Sequence, residues 1–325
     1  MKFQRLSKLG IKYLMGYKHQ GIGLILTRKC NIDCSYCKIK DNSGKRKELT
    51  INEWKSIIKK FSNNKHMHFI FTGGEPLLYN GVYDLIDYAS KNSATSLITN
   101  TLLLNNNSFP RLKNLDYLTF SCDTSQLKSN LTKNTLDKFN FISESSRKYN
   151  ITPSVIITVT SKNTDEIPLM VTKASKQGIS VLLSLIHSNE GSYDFRNHSP
   201  NLEFKTIDDF KKLEQLQNKL ILLKQKGYKI SESDFFIRNM INYVKGSFKI
   251  DCPAANPFFT IDCDGMIKPC HDIKATNISA LEFTDYNIMN EQIKKNVPKS
   301  CNCYYDCYVN NSSKKIENII RAFGR

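Results

Sequence analysis

Three cysteines, Cys30, Cys34 and Cys37, share the run Cys30-Asn31-Ile32-Asp33-Cys34-Ser35-Tyr36-Cys37, a C-x3-C-x2-C spacing. A cuboidal 4Fe–4S cluster is ordinarily held by four thiolates. Three thiolates leave one iron with an open position, which catalytic metal sites keep and structural sites close. The triplet alone leaves a zinc site or unligated thiols open as alternatives.

Six of the chain's ten cysteines lie between residues 228 and 325. Cys252 is followed by Cys263, Gly265 and Cys270, and then Cys301, Cys303 and Cys307 crowd together. Residues 258–267 read as a β-hairpin with an Asp264-Gly265 turn. Cys263 takes a turn position there, which suits a structural role. No signal peptide is apparent at the N-terminus, so short cysteine spacings read as metal ligation in a cytoplasmic protein, not as disulfides.

These groups need a scaffold. Strand-like segments are expected at 23–27, 67–71, 95–99, 115–120, 154–159 and 179–185. Helices are expected at 50–62, 82–91, near 134–149, 164–177 and 206–226. Thr50 and Glu53 give the first of these helices a capping-box start, and Gly227 stops the last. Six strand–helix units imply a parallel sheet. Six is too few to close an eight-stranded barrel, so the expected fold class is α/β, a partial (β/α)6 TIM-type barrel with its site at the C-terminal strand ends. Residues 1–20 read as an amphipathic helix, with Phe3, Leu6, Leu9, Tyr13 and Leu14 on one face, more suited to closing the barrel than to lying on a membrane. Residues 21–227 are the barrel. Residues 228–325 read as a small cysteine-rich α+β domain.

The second strand runs into Gly73-Gly74-Glu75-Pro76. Glycines permit close approach to the backbone, Glu75 offers an acceptor, and Pro76 stiffens the exit. Placed one strand–helix unit after the cysteine triplet, this turn makes the chain resemble the radical S-adenosylmethionine (radical SAM) superfamily. The resemblance covers most of residues 20–310. It implies that SAM chelates the open iron and that Gly73, Gly74 and Glu75 sit at the amino group of its methionine part. It further implies SAM contacts from Thr99 and Asn100, where Thr101 replaces a glycine, from Ser121 and Asp123, and from Tyr36 near the adenine. Cys122, beside Ser121, is a candidate hydrogen-atom donor; free cysteine more often behaves as a small buried apolar residue.

The C-terminal cysteines resemble the SPASM and twitch auxiliary-cluster domains of the same superfamily. Two extra clusters need about seven or eight thiolates, and only six are present. One auxiliary 4Fe–4S cluster is therefore expected, on Cys252 and Cys270 with two of Cys301, Cys303 and Cys307. Zinc is the alternative ligand for this set.

The chain of 325 residues is 40% hydrophobic and 24% charged, as soluble globular proteins are. Its formal net charge of +17 favours an acidic partner or reflects lysines spread along the whole chain. The resemblance implies reductive cleavage of SAM to a 5′-deoxyadenosyl radical, with electrons from a reductant such as flavodoxin or ferredoxin. The substrate expected is a ribosomally made peptide or a small molecule, to be oxidised, crosslinked or epimerised. A lipid, as in hopanoid adenosylation, and RNA are the alternatives, with peripheral membrane contact not favoured. The terminal Phe323-Gly324-Arg325 differs from the Gly-Gly tail of the molybdopterin-precursor cyclase. A zinc-bound nucleic-acid-binding module is the non-enzymatic alternative, and it gives the Gly-Gly-Glu-Pro turn no role. His66, His68, His187 and His271 mark no catalytic group.

Overall fold

The computed structural model describes residues 21–42, 47–63, 68–122, 133–187, 199–249, 252–255, 258–297, 303–305 and 309. The expected helix at 1–20, Asp123, Cys301 and Cys307 lie outside the described residues.

Six strands follow one another as expected: β1 Gly21–Thr27, β2 His68–Gly73, β3 Ala94–Thr99, β4 Tyr117–Ser121, β5 Thr152–Val159 and β6 Ser180–Leu185. Between and after them come α1 Ile51–Asn63, α2 Val82–Ala89, α3 Lys133–Lys148, α4 Ile167–Lys176 and α5 Ile207–Gln225. Each neighbouring pair from β1 to β6 is parallel. This is the partial (β/α)6 barrel.

Strands β2, β4, β5 and β6 alternate in burial, and that alternation builds two faces. In β4, Leu118 and Phe120 are buried while Tyr117, Thr119 and Ser121 are half-buried. Successive strand side chains point to opposite faces, so one set meets the helices and the other faces the barrel interior. Phe120 meets Phe139 of α3 edge-on at 5.8 Å between ring centroids. Trp54, Ile57 and Phe61 of α1 are buried in the same core. Burying each such side chain is worth roughly 1.5–3 kcal/mol. The α1 capping box forms as expected, with Thr50 N–H donating to Glu53 Oε2 at 2.7 Å and Glu53 N–H to Thr50 Oγ1 at 3.3 Å.

The sheet continues past residue 228. Strand β7, Phe258–Ile261, pairs parallel with β1, and β8, Ile267–Lys268, pairs antiparallel with β7. The order is β6-β5-β4-β3-β2-β1-β7-β8. The expected hairpin is β7–β8, and Gly265 takes φ +85° in its turn. Helix α6, Asp234–Val244, was not expected; Ser233 Oγ caps it by accepting Phe236 N–H at 3.0 Å. A last helix, α7, spans Tyr286–Lys295.

Candidate active site

Strand β1 delivers the cysteine loop, and the end of β2 holds it from beside. Gly74 N–H donates to Thr27 O and Glu75 N–H to Lys29 O, both at 2.9 Å. A Cβ on Gly73 would lie 2.3 Å from Thr27 O, and one on Gly74 would lie 2.2 Å from Lys29 O. Gly73 also has φ +142°, a conformation side chains disfavour. The glycines therefore let the chain just before Cys30 approach the β2 end.

Glu75 is fully buried. Its Oε1 accepts Leu77 N–H at 3.0 Å and Thr99 Oγ1–H at 2.8 Å, and its Oε2 accepts Asn100 N–H at 2.8 Å. Burial pushes its carboxyl above the usual range, opposed by these hydrogen bonds and by Lys138. Glu75 thus fixes the β3 end rather than standing as an open acceptor. Asn100 carries that order onward, its Nδ2 donating to Asn31 Oδ1 of the cysteine loop at 2.7 Å. Thr101 has φ +69°, in the left-handed region that favours glycine. A left-handed residue other than glycine costs roughly 1–2 kcal/mol; Thr101 N–H donates to Thr99 Oγ1 at 3.0 Å in that turn.

Lys138 of α3, which sequence reasoning passed over, reaches under this turn. Its Nζ donates to Asn100 O and to Ser121 O, both at 3.2 Å. It thereby ties the ends of β3 and β4. Burial pushes its ammonium below the usual lysine range, while Cys122 and Glu75 pull it up.

Cys30, Cys34 and Cys37 line one open cleft together with Tyr36, Thr72, Gly73, Gly74, Thr99, Asn100 and Ser121. The Tyr36 hydroxyl lies 3.5 Å from Thr158 Oγ1 on β5. Cys122 is buried in the main apolar core. It continues the burial parity of Leu118 and Phe120, and it is not among the residues lining this cleft.

Among the described residues, no three His, Cys, Asp or Glu side chains converge on one point as ligands of a single ion do. A cuboidal cluster asks for something else, since each thiolate binds a separate iron. Three soft thiolates along one cleft, with a polar wall facing them, fit such a group.

A second thiol group forms in the C-terminal region. Cys270 and Cys303 are buried together with Ala254, and Cys252, Phe258 and Tyr305 pack against them. Ile273 N–H points at Cys270 Sγ and Tyr305 N–H at Cys303 Sγ, each at 3.4 Å. Backbone N–H groups aimed at sulfur are a means of tuning a bound cluster. Cys263 stands apart, buried in the β7–β8 turn. Burial first, then Asp262 and Asp264, push its thiol up to about 12.

A partial parallel barrel with a three-thiolate cleft at its C-terminal strand ends defines a class of cluster-bearing enzyme. Residues 24–169 match the family described as the radical SAM superfamily. Residues 24–169 are a radical SAM domain, which supports an enzyme, and SAM and a 4Fe–4S cluster go with that family.

The chain is 26% identical over 268 residues to the sporulation killing factor maturation protein SkfB of Bacillus subtilis (strain 168), covering 76% of this chain and 59% of SkfB. It is 26% identical over 287 residues to a GTP 3′,8-cyclase of Clostridium perfringens (strain SM101 / Type A), covering 85% of this chain and 87% of the cyclase. Three further curated relatives are matched over only 22% to 51% of their own length. Streptococcus suis SuiB bound to S-adenosylmethionine shares the fold, with a TM-score of 0.63 at 14% identity, covering 87% of this chain and 69% of SuiB. No helix among the described residues is long and apolar enough to cross a membrane.

Proposed function

We propose that this chain modifies a peptide by radical chemistry, with Cys30, Cys34 and Cys37 holding the SAM-binding 4Fe–4S cluster. The observation that carries the reading is the shared cleft, where the three thiols meet the Gly73–Gly74 turn, Asn100 and Ser121. Bound there, cluster and SAM would supply radical chemistry directed at a substrate carbon.

The protein's part is positioning. Gly73 and Gly74 press the β2 end against the cysteine loop, and Glu75 holds Thr99 and Asn100. Asn100 steadies Asn31, and Lys138 gathers the carbonyls of Asn100 and Ser121. Ser121 and Tyr36 face the cleft, where they suit contacts to SAM. Cys122 lies behind that wall, so its burial favours a packing role over hydrogen donation.

Residues 21–227 act as the catalytic barrel. Residues 228–325 hold one auxiliary 4Fe–4S cluster on Cys252, Cys270, Cys303 and either Cys301 or Cys307. The N–H groups aimed at Cys270 and Cys303 support ligation there. A peptide substrate is supported by SkfB, a maturation protein, and by SuiB, which has been seen with its precursor peptide SuiA. A small-molecule substrate is the second reading, supported by the cyclase matched over 87% of its length. A reductant of the flavodoxin or ferredoxin type supplies the electron.

The test is anaerobic reconstitution followed by incubation with SAM and dithionite. Formation of 5′-deoxyadenosine, with iron near eight per chain for two clusters, is expected. Zinc alone, with no 5′-deoxyadenosine, overturns the enzyme reading in favour of a zinc-bound module. Mass change of a candidate precursor peptide supports the peptide substrate, and turnover of GTP instead overturns it.

A further inference from the structure

The stretch that leads into the cysteine loop is held from two sides. The Gly74 and Glu75 N–H groups hold Thr27 and Lys29 from the β2 side. Between these two residues Arg28 turns the other way. Its Nε donates to Asp262 Oδ1 at 3.2 Å and its Nη2 to Asp262 Oδ2 at 2.5 Å. Both side chains are fully buried, and 234 residues of sequence separate them.

Asp262 directly follows β7, and its Oδ1 also accepts Cys263 N–H at 2.8 Å. Lys268, buried on β8, adds a second cation near this carboxylate. The hairpin makes one more tie, Cys263 O accepting Leu49 N–H at 2.8 Å from the segment ahead of α1. Two residues beyond β8 the same hairpin reaches Cys270. One short element therefore touches the approach to the first cysteine site and carries a thiol of the second.

A buried ion pair adds little net stability over an apolar pair of the same shape. What a two-bond arginine–carboxylate fork does well is fix the distance and plane of its partners. Arg28 stands two residues before Cys30, so a fixed guanidinium restricts the backbone from which the cysteine loop departs.

We infer that Asp262 is a positioning residue for the Cys30–Cys37 site, acting through Arg28, and that the C-terminal hairpin is a built-in part of that site. The inference rests on the reading that these cysteines hold the SAM-binding cluster.

The test compares the full chain with Asp262→Asn, with Arg28→Lys, and with the double variant Arg28→Met/Asp262→Leu, which removes both charges of the pair together. In metal-free protein, iodoacetamide labelling is followed at Cys30, Cys34 and Cys37, with buried Cys122 as internal reference. In reconstituted, reduced protein, the SAM concentration giving half-maximal change of the electron paramagnetic resonance spectrum is measured. Labelling rate and half-saturating SAM are expected to rise about tenfold in each variant that folds, as when a residue orienting metal ligands is removed. The Cys122 rate is expected to stay unchanged. If the double variant melts like the unmodified protein and matches it in both readouts, Asp262 is only a fold tie and the inference fails. If the unmodified protein itself gives no response to SAM, the cluster reading fails instead.

Discussion

Glu75 accepts the backbone N–H of Asn100 at 2.8 Å, and Asn100 in turn donates from its side chain to Asn31 at 2.7 Å. The acid of the Gly-Gly-Glu-Pro turn thus reaches the cysteine loop through the end of the neighbouring strand. Glu75→Gln replaces an acceptor oxygen by an amide donor facing N–H or O–H groups. Leaving such a buried donor unsatisfied costs about 1–3 kcal/mol. A lower melting temperature of the metal-free variant, together with weaker SAM binding in the loaded one, is the expected result; an unchanged melt contradicts it.

Gly74→Ala forces a methyl group to within 2.2 Å of Lys29 O. Backbone must move, and the segment that moves leads into Cys30. The expected variant folds its C-terminal region but loads only the auxiliary cluster, with iron falling from about eight to about four per chain. Iron and sulfide analysis after reconstitution checks this, and full loading contradicts it.

Cys263 is set apart from the other C-terminal thiols by its chemistry. A thiol pushed up to about 12 by burial and by two neighbouring aspartates is not a thiolate at neutral pH and resists alkylation. Mass mapping of metal-free protein labelled at pH 8 is expected to find Cys263 unmodified while Cys30, Cys34 and Cys37 react. Prompt labelling of Cys263 contradicts the assignment.

Asp262 brings a pH dependence. Burial pushes its carboxyl up, but the Arg28 hydrogen bond, the Lys268 and Arg28 charges and the Cys263 N–H outweigh that and leave it below the ordinary value of 3.8. A carboxyl depressed on folding contributes stability above its unfolded pKa and loses it as pH falls through the folded one. Thermal stability of metal-free protein is therefore expected to fall as pH drops below about 4, and Asp262→Asn to flatten that slope. Equal slopes in both proteins contradict it.

Much of this was legible in the sequence. The cysteine spacing and the glycine turn marked both walls of the cleft, and strand periodicity gave six parallel strands in order. Helix α6 carried a readable signal, a Ser233 cap ahead of Phe236, Ile237, Met240 and Tyr243 at helical spacing, but it fell beyond the last expected barrel unit. The pairing of β7 with β1 and of Arg28 with Asp262 was not legible, because no local pattern joins residues more than 200 positions apart. Lys138 looked like one lysine among many until the fold buried it under Asn100 and Ser121. Glu75 was found by its motif, but only the structure showed its oxygens spent on Leu77, Thr99 and Asn100.

The central claim is that the Cys30, Cys34 and Cys37 cleft cleaves SAM. The direct measurement is 5′-deoxyadenosine formed under dithionite by the unmodified chain, by a Cys30→Ala/Cys34→Ala/Cys37→Ala variant and by a Cys252→Ala/Cys270→Ala variant. The account predicts product from the first and third and none from the second. Product from the triple variant, or none from the unmodified chain, contradicts it.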